Sequence, residues 1–140
     1  MDEVTSDLAF VARGATLADL FRTAAEALLA ATLEDPAQVS QRVRRSVHLE
    51  EPDLELLLLR FLNELVYLRD AEHLLLRAQR VRVAAGDAAR LEAELVGEAI
   101  DLDRHQLATE VKAVTAHGLR VAQEAGDGGG SWEASVTLDV

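Results

Sequence analysis

The sequence predicts an α+β fold: a two-layer sandwich with a largely antiparallel or mixed sheet of about six or seven strands and two main helices on one face. Three observations lead there. Two segments carry apolar residues at helical spacing, and several others alternate at period two. Short turn signals separate them, among them Asp35-Pro36, Pro52-Asp53 and Gly86-Asp87. No internal repeat and no long linker interrupts the order, so residues 1–140 read as a single domain of ordinary size.

Taken in order, Asp7 to Arg13 is a strand, because Leu8, Phe10 and Ala12 share one face at period two. Gly14 ends it, and Thr16, three residues before Asp19, offers a helix N-cap. Leu17, Leu20, Phe21, Ala24, Leu28 and Leu29 then predict a helix from about Leu17 to Ala31, stopping before Asp35-Pro36. Val39 to Glu50 alternates again, with Val43, Val47 and Leu49 opposite Arg42, Arg44 and His48. Pro52-Asp53 opens the strongest helix, whose stripe is Leu54, Leu57, Leu58, Phe61, Leu62, Leu65 and Leu68. Asp53 and Glu55 suit its N-terminal dipole.

Leu74 to Ala84 and Leu91 to Gly97 form a predicted hairpin across Gly86-Asp87. Arg80 and Arg82 share one parity and Glu92 and Glu94 another, so opposite charges can meet across it. Glu110 to Thr115 and Leu119 to Ala122 extend the sheet. Gly126 to Gly130 is a glycine-rich turn. Trp132, Ala134, Val136, Leu138 and Val140 alternate to the end.

Composition narrows the function classes. With no cysteine, disulfides and thiolate metal sites are excluded, and a cytoplasmic protein is the simplest expectation. Asp2 and Glu3 have the wrong charge for a signal or transit peptide. The apolar runs fall short of the roughly 20 residues a membrane helix needs, so no membrane partner is expected. A net charge of −11 repels phosphate backbones, and no basic stripe with interleaved aromatics offsets it. Strong direct nucleic-acid binding is therefore not expected; a basic protein partner or a hard cation fits better.

Catalytic signatures are missing: no glycine-rich phosphate loop, no nucleophile elbow, no paired-histidine zinc helix. His48, His73, His105 and His117 have no partners at metal-ligand spacing and read as surface or structural residues. Two acids are better placed. Asp7 begins the first strand and Asp139 is penultimate, each off the parity of its strand's apolar residues, with the Val140 carboxylate beside Asp139. If those strands are close, oxygen ligands converge on one spot, which a hard cation tolerates best. From spacing alone, ordinary solvated strand-end acids are the preferred reading, since the chain has 25 acidic residues. In Glu110 to Gly118, alternation groups Glu110, Lys112 and Val114 against Val111, Ala113 and Thr115. A Glu and a Lys on one strand face make either a small polar site or a surface ion pair.

Four segments resemble the archease family. Thr109 to Leu119 (TEVKAVTAHGL) is similar to its signature, and Thr137 to Val140 (TLDV) to its C-terminus. Arg60 to Glu72 (RFLNELVYLRDAE) resembles its second helix, and Val4-Thr5-Ser6-Asp7 its His-Thr-Ala-Asp motif. The resemblance spans essentially the whole chain in the expected order. It implies a protein cofactor, not an enzyme, of the GTP-dependent ligase that joins tRNA halves in splicing. Such a cofactor promotes ligase guanylylation and multiple turnover. It implies a divalent cation held by Asp7, Asp139 and Val140: calcium first, with magnesium or manganese as alternatives. It further implies a functional Lys112, within a segment that includes Glu110, Thr115 and His117. Val4 stands where the family usually has His, and Ala116 where it often has an aromatic. The alternative reading is a general chaperone or protein-interaction module. A hydrolase built on Asp7 and Asp139 is weakest, since no nucleophile or general-base pair accompanies them.

Overall fold

In the computed structural model, residues 7–124 and 130–140 are described. The Val4-Thr5-Ser6 part of the N-terminal motif, and residues 126–129 of the glycine-rich turn, lie outside them. Strand β1 (Asp7–Gly14) leads into helix α1 (Leu17–Thr32). Thr16 caps α1 by accepting the Asp19 amide at 3.1 Å. A short 3-10 helix (Pro36–Gln38) follows, then β2 (Val43–Glu51) and α2 (Leu54–Glu72). Asp53 caps α2 by accepting the Leu56 amide at 2.8 Å. His73 ends α2 in the left-handed region, φ 58°. Strands β3 (Leu74–Ala85), β4 (Ala89–Ala99), β5 (Ala113–Glu124) and β6 (Ser131–Asp139) complete the chain.

The predicted strands divide between two three-stranded sheets, ordered β1-β6-β5 and β2-β4-β3, and every pairing is antiparallel. Both helices pack against both sheets. Phe21 and Phe61 meet at the centre with ring centroids 6.1 Å apart. One apolar cluster joins the helices to the inner faces of both sheets, including Val47, Leu76 and Leu95 on one side and Ala134, Val136 and Leu138 on the other. Each fully buried leucine contributes roughly 2 kcal/mol.

The expected hairpin charges do align. Arg80 stands opposite Glu94 and Arg82 opposite Glu92, with Arg82 and Glu92 at 3.6 Å. β4 extends two residues beyond the expected Leu91–Gly97 at each end, and two larger differences have a physical cause. The strand predicted from Val39 begins at Val43, because Pro36 starts a helical turn and Val39 is buried in a smaller cluster with Leu29, Leu33 and Leu75. The two pieces expected at Glu110–Thr115 and Leu119–Ala122 are one strand with a bulge. Ala116 to Leu119 stand opposite Val136 alone, and Gly118 takes φ +66°.

Candidate functional site

β1 and β6 bring the first and last described strand residues together. Asp7 is directly opposite Asp139, and Ala113 of β5 flanks Asp139 on the other side. Directly opposed residues have Cβ atoms about 4.5–5.5 Å apart, and like charges there repel. Asp139 is half-buried, yet its Oδ1 is fully enclosed and has no hydrogen-bond partner among the described residues. An enclosed acceptor left unsatisfied costs roughly 1–3 kcal/mol. Its carbonyl is satisfied, accepting the Lys112 amide at 2.7 Å. Val140 is half-buried and packs against the core.

The oxygens gathered at these strand ends, the Asp7 and Asp139 carboxylates among them, are of the type a hard divalent cation takes. Among the described residues no group of three or more His, Asp or Glu side chains converges on a metal site.

The 110–117 segment is arranged differently from the alternation expected of it. Val111 and Val114 are both buried, at 0% and 4% exposure, although they stand three positions apart. Strand geometry begins only at Ala113, so Glu110 and Lys112 do not share a strand face with Val114. Two apolar residues competing for the same core break the period. Lys112 adjoins Asp139 through its backbone, and its side chain is exposed. Thr115 is opposite Thr137, on the face that carries Asp7 and Asp139. Its hydroxyl donates to the Thr137 carbonyl at 3.4 Å and accepts the His117 amide at 3.3 Å. His117 is exposed on the bulge. Glu110 instead lines a recess of about 370 Å³ with Arg69, Asp70 and His73. The structure thus groups Asp7, Asp139, Val140, Lys112 and Thr115, and sets Glu110 and His117 at the margins.

Periodicity did not reveal two polar systems. The first lies on α2. Asn63 donates to the Val114 carbonyl and accepts the Val114 amide, both at 2.9 Å. Arg69 donates to the Val111 carbonyl, and Glu55 accepts the Val121 amide at 3.1 Å. A polar residue beside an otherwise apolar stripe is the only signal Asn63 leaves in the sequence.

The second is centred on Glu98, only 3% exposed. It accepts the Ser40 amide at 2.7 Å and bonds to Arg104, with His105 Nε2 at 2.9 Å. His105 Nδ1 accepts the Asp101 amide, so its proton sits on Nε2 and donates to Glu98. Burial pushes the Glu98 carboxyl up, but Ser40, Arg104 and His105 outweigh it and hold it at about 2, against 4.5 ordinarily. His105 is thus structural. His48 is an exposed residue 3.4 Å from Glu92.

No helix among the described residues is long and apolar enough to cross a membrane. The family model of the archease proteins matches residues 1–140. The chain is 38% identical over 120 residues to the protein archease of Thermococcus gammatolerans, covering 85% of this chain and 84% of that one. It is 36% identical over 141 residues to the protein archease of Methanosarcina acetivorans, covering 99% and 92%. The solution structure of Methanobacterium thermoautotrophicum protein 1598 matches with TM-score 0.81 and 30% identity, over 99% of this chain and 96% of that one. The crystal structure of a Thermotoga maritima archease, described as a possible chaperone, shares the fold with TM-score 0.57 at 18% identity, over 100% and 97%. With its whole length matched by the family model and relatives more than 30% identical over most of both chains, this chain belongs to the archease family.

Proposed function

We propose that this protein is a non-catalytic activator of a GTP-dependent RNA-splicing ligase, promoting its guanylylation and multiple turnover. In this reading Asp7, Asp139 and a main-chain oxygen at Val140 hold a divalent cation, calcium before magnesium or manganese. The observation that carries the site is the Asp7–Asp139 opposition with the enclosed, unpartnered Asp139 Oδ1. The ligase itself enters from family membership.

The chain's own residues have separable tasks. Asp7 and Asp139 concentrate negative charge at one end of the β1-β6-β5 sheet. Thr115 adds a hydroxyl to that face, and Lys112 joins it through its main-chain amide. A bound cation would supply charge neutralisation, ordering the strand ends or serving the partner's phosphate chemistry. The net charge of −11 suits a basic, RNA-handling protein surface and disfavours direct RNA binding.

The competing function is a general chaperone; the Thermotoga maritima relative is described as a possible chaperone. Asp139→Asn separates the two. It abolishes stimulation of ligase guanylylation under the proposed reading and leaves suppression of client aggregation intact under the other. Full ligase stimulation by Asp139→Asn contradicts the assignment of the site.

A further inference from the structure

We propose that α2 is a polar clamp on the outer edge of β5, with Asn63 and Arg69 as positioning residues that set the main-chain contact between Lys112 and Asp139. This rests on the reading of the strand-end site given above, and it assigns a role to residues outside that site.

β5 lies at the edge of its sheet, so one side of its backbone has no strand neighbour. Such an edge usually needs covering. Here α2 covers it with side chains that bond main chain. Asn63 uses both its amide nitrogen and its oxygen on the carbonyl and amide of Val114, as a neighbouring strand would. Arg69, whose side chain is 13% exposed, reaches the Val111 carbonyl and is itself braced by Asp70 Oδ1 at 2.8 Å. Glu55 takes the Val121 amide.

The spacings of helix and strand agree. The order is reversed: Glu55, Asn63 and Arg69 along α2 meet Val121, Val114 and Val111 along the chain. From Asn63 to Arg69 the helix advances about 9 Å, and Val111 to Val114 span at most about 10 Å. From Glu55 to Asn63 it advances about 12 Å. Val114 and Val121 pair with Leu138 and Ala134, four residues apart on β6, which is about 13 Å. Seven regular strand residues would have covered about 23 Å and overshot Glu55. The Ala116–Leu119 bulge removes the excess, so bulge and helix are matched parts of one device.

The clamp brackets two residues. Val111 and Val114 flank Lys112 and Ala113; Lys112 donates its amide to the Asp139 carbonyl, and Ala113 is the cross-strand partner of Asp139. Fixing the flanks fixes the approach of Lys112 to the strand-end carboxylates. A helix that served only to fill the core would need its apolar stripe and neither Asn63 nor Arg69.

The test is amide hydrogen exchange by NMR on the full chain, as wild type, Asn63→Ala, Arg69→Met and Arg69→Lys, with calcium titrated calorimetrically into each. Exchange at Lys112 should rise at least tenfold in Asn63→Ala and Arg69→Met, with Leu95 in β4 unchanged as a global control. Arg69→Lys, which keeps a donor, should restore part of the protection. Calcium affinity should fall at least tenfold in the first two variants. Unchanged exchange at Lys112 overturns the clamp, and so does an equal rise at Lys112 and Leu95, which reports general destabilisation. If Asn63→Ala does not fold, the Arg69→Met and Arg69→Lys pair decides alone. Wild-type protein that binds no calcium contradicts the cation reading, while the exchange data still decide the clamp.

Discussion

Asp7 and Asp139 face each other directly across the β1–β6 pair, at the two ends of the described chain. A cation bound between them, as proposed, would offset the repulsion of opposed like charges and give the enclosed Asp139 Oδ1 a partner. Calcium at a hundredfold excess over Kd should then stabilise the fold by about 2.7 kcal/mol. That corresponds to a rise in Tm of roughly 5–10 °C in differential scanning calorimetry. Asp139→Asn and Asp7→Asn should each remove most of this rise while leaving the ion-free Tm unchanged or slightly higher. A calcium-induced rise that survives both substitutions places the ion elsewhere.

Gly97 marks where β4 passes closest to β3. A Cβ there would lie 1.8 Å from the Leu75 carbonyl oxygen, a backbone atom held by the sheet. Gly97→Ala should cost at least about 3 kcal/mol in urea unfolding, as overpacking against rigid backbone does. Gly86, in the turn between the same strands, has nothing within 4 Å of an added Cβ. Gly86→Ala should stay within about 0.5 kcal/mol of wild type. Equal costs at both positions would show that close approach is not the cause.

The Glu98 carboxyl titrates at about 2 in the folded protein and near 4.5 when free of its partners. A depressed folded pKa adds stability that is fully present above about 4.5 and is lost as pH falls toward about 2. Tm measured between pH 5 and pH 2.5 should fall more steeply in wild type than in Glu98→Gln. At pH 7 Glu98→Gln should lower stability, because the Ser40 amide, Arg104 and His105 lose a charged acceptor. Parallel pH profiles would remove Glu98 from the acid response.

Legibility followed the locality of each signal. The start of α1 at Thr16, the acidic start and apolar stripe of α2, and the opposite charges carried by the β3–β4 hairpin depend on residues near in sequence, and each was readable; the cap at Asp53 and the exact register came from the structure. The opposition of Asp7 and Asp139 was readable only as a possibility, because it depends on strands at the two ends of the chain pairing with each other. The division into two sheets is a property of pairing that alternation alone does not encode. Between Val111 and Gly118 the period itself fails, since the buried valines are three apart and a bulge follows. Glu98 shares the parity of Glu92 and Glu94 and reads as solvated. It is buried because Ser40 and the Asp101–His105 segment fold over it from elsewhere in the chain. Asn63 and Arg69 find their partners 51 and 42 residues away, beyond any local pattern.

The most direct measurement is the rate of guanylylation of the cognate RNA-splicing ligase, with GTP and a divalent cation, in the presence and absence of this protein. The proposed function predicts that wild-type protein speeds guanylylation and sustains repeated turnover, and that Asp139→Asn does neither. An unchanged rate with folded wild-type protein and calcium, magnesium or manganese present would contradict it.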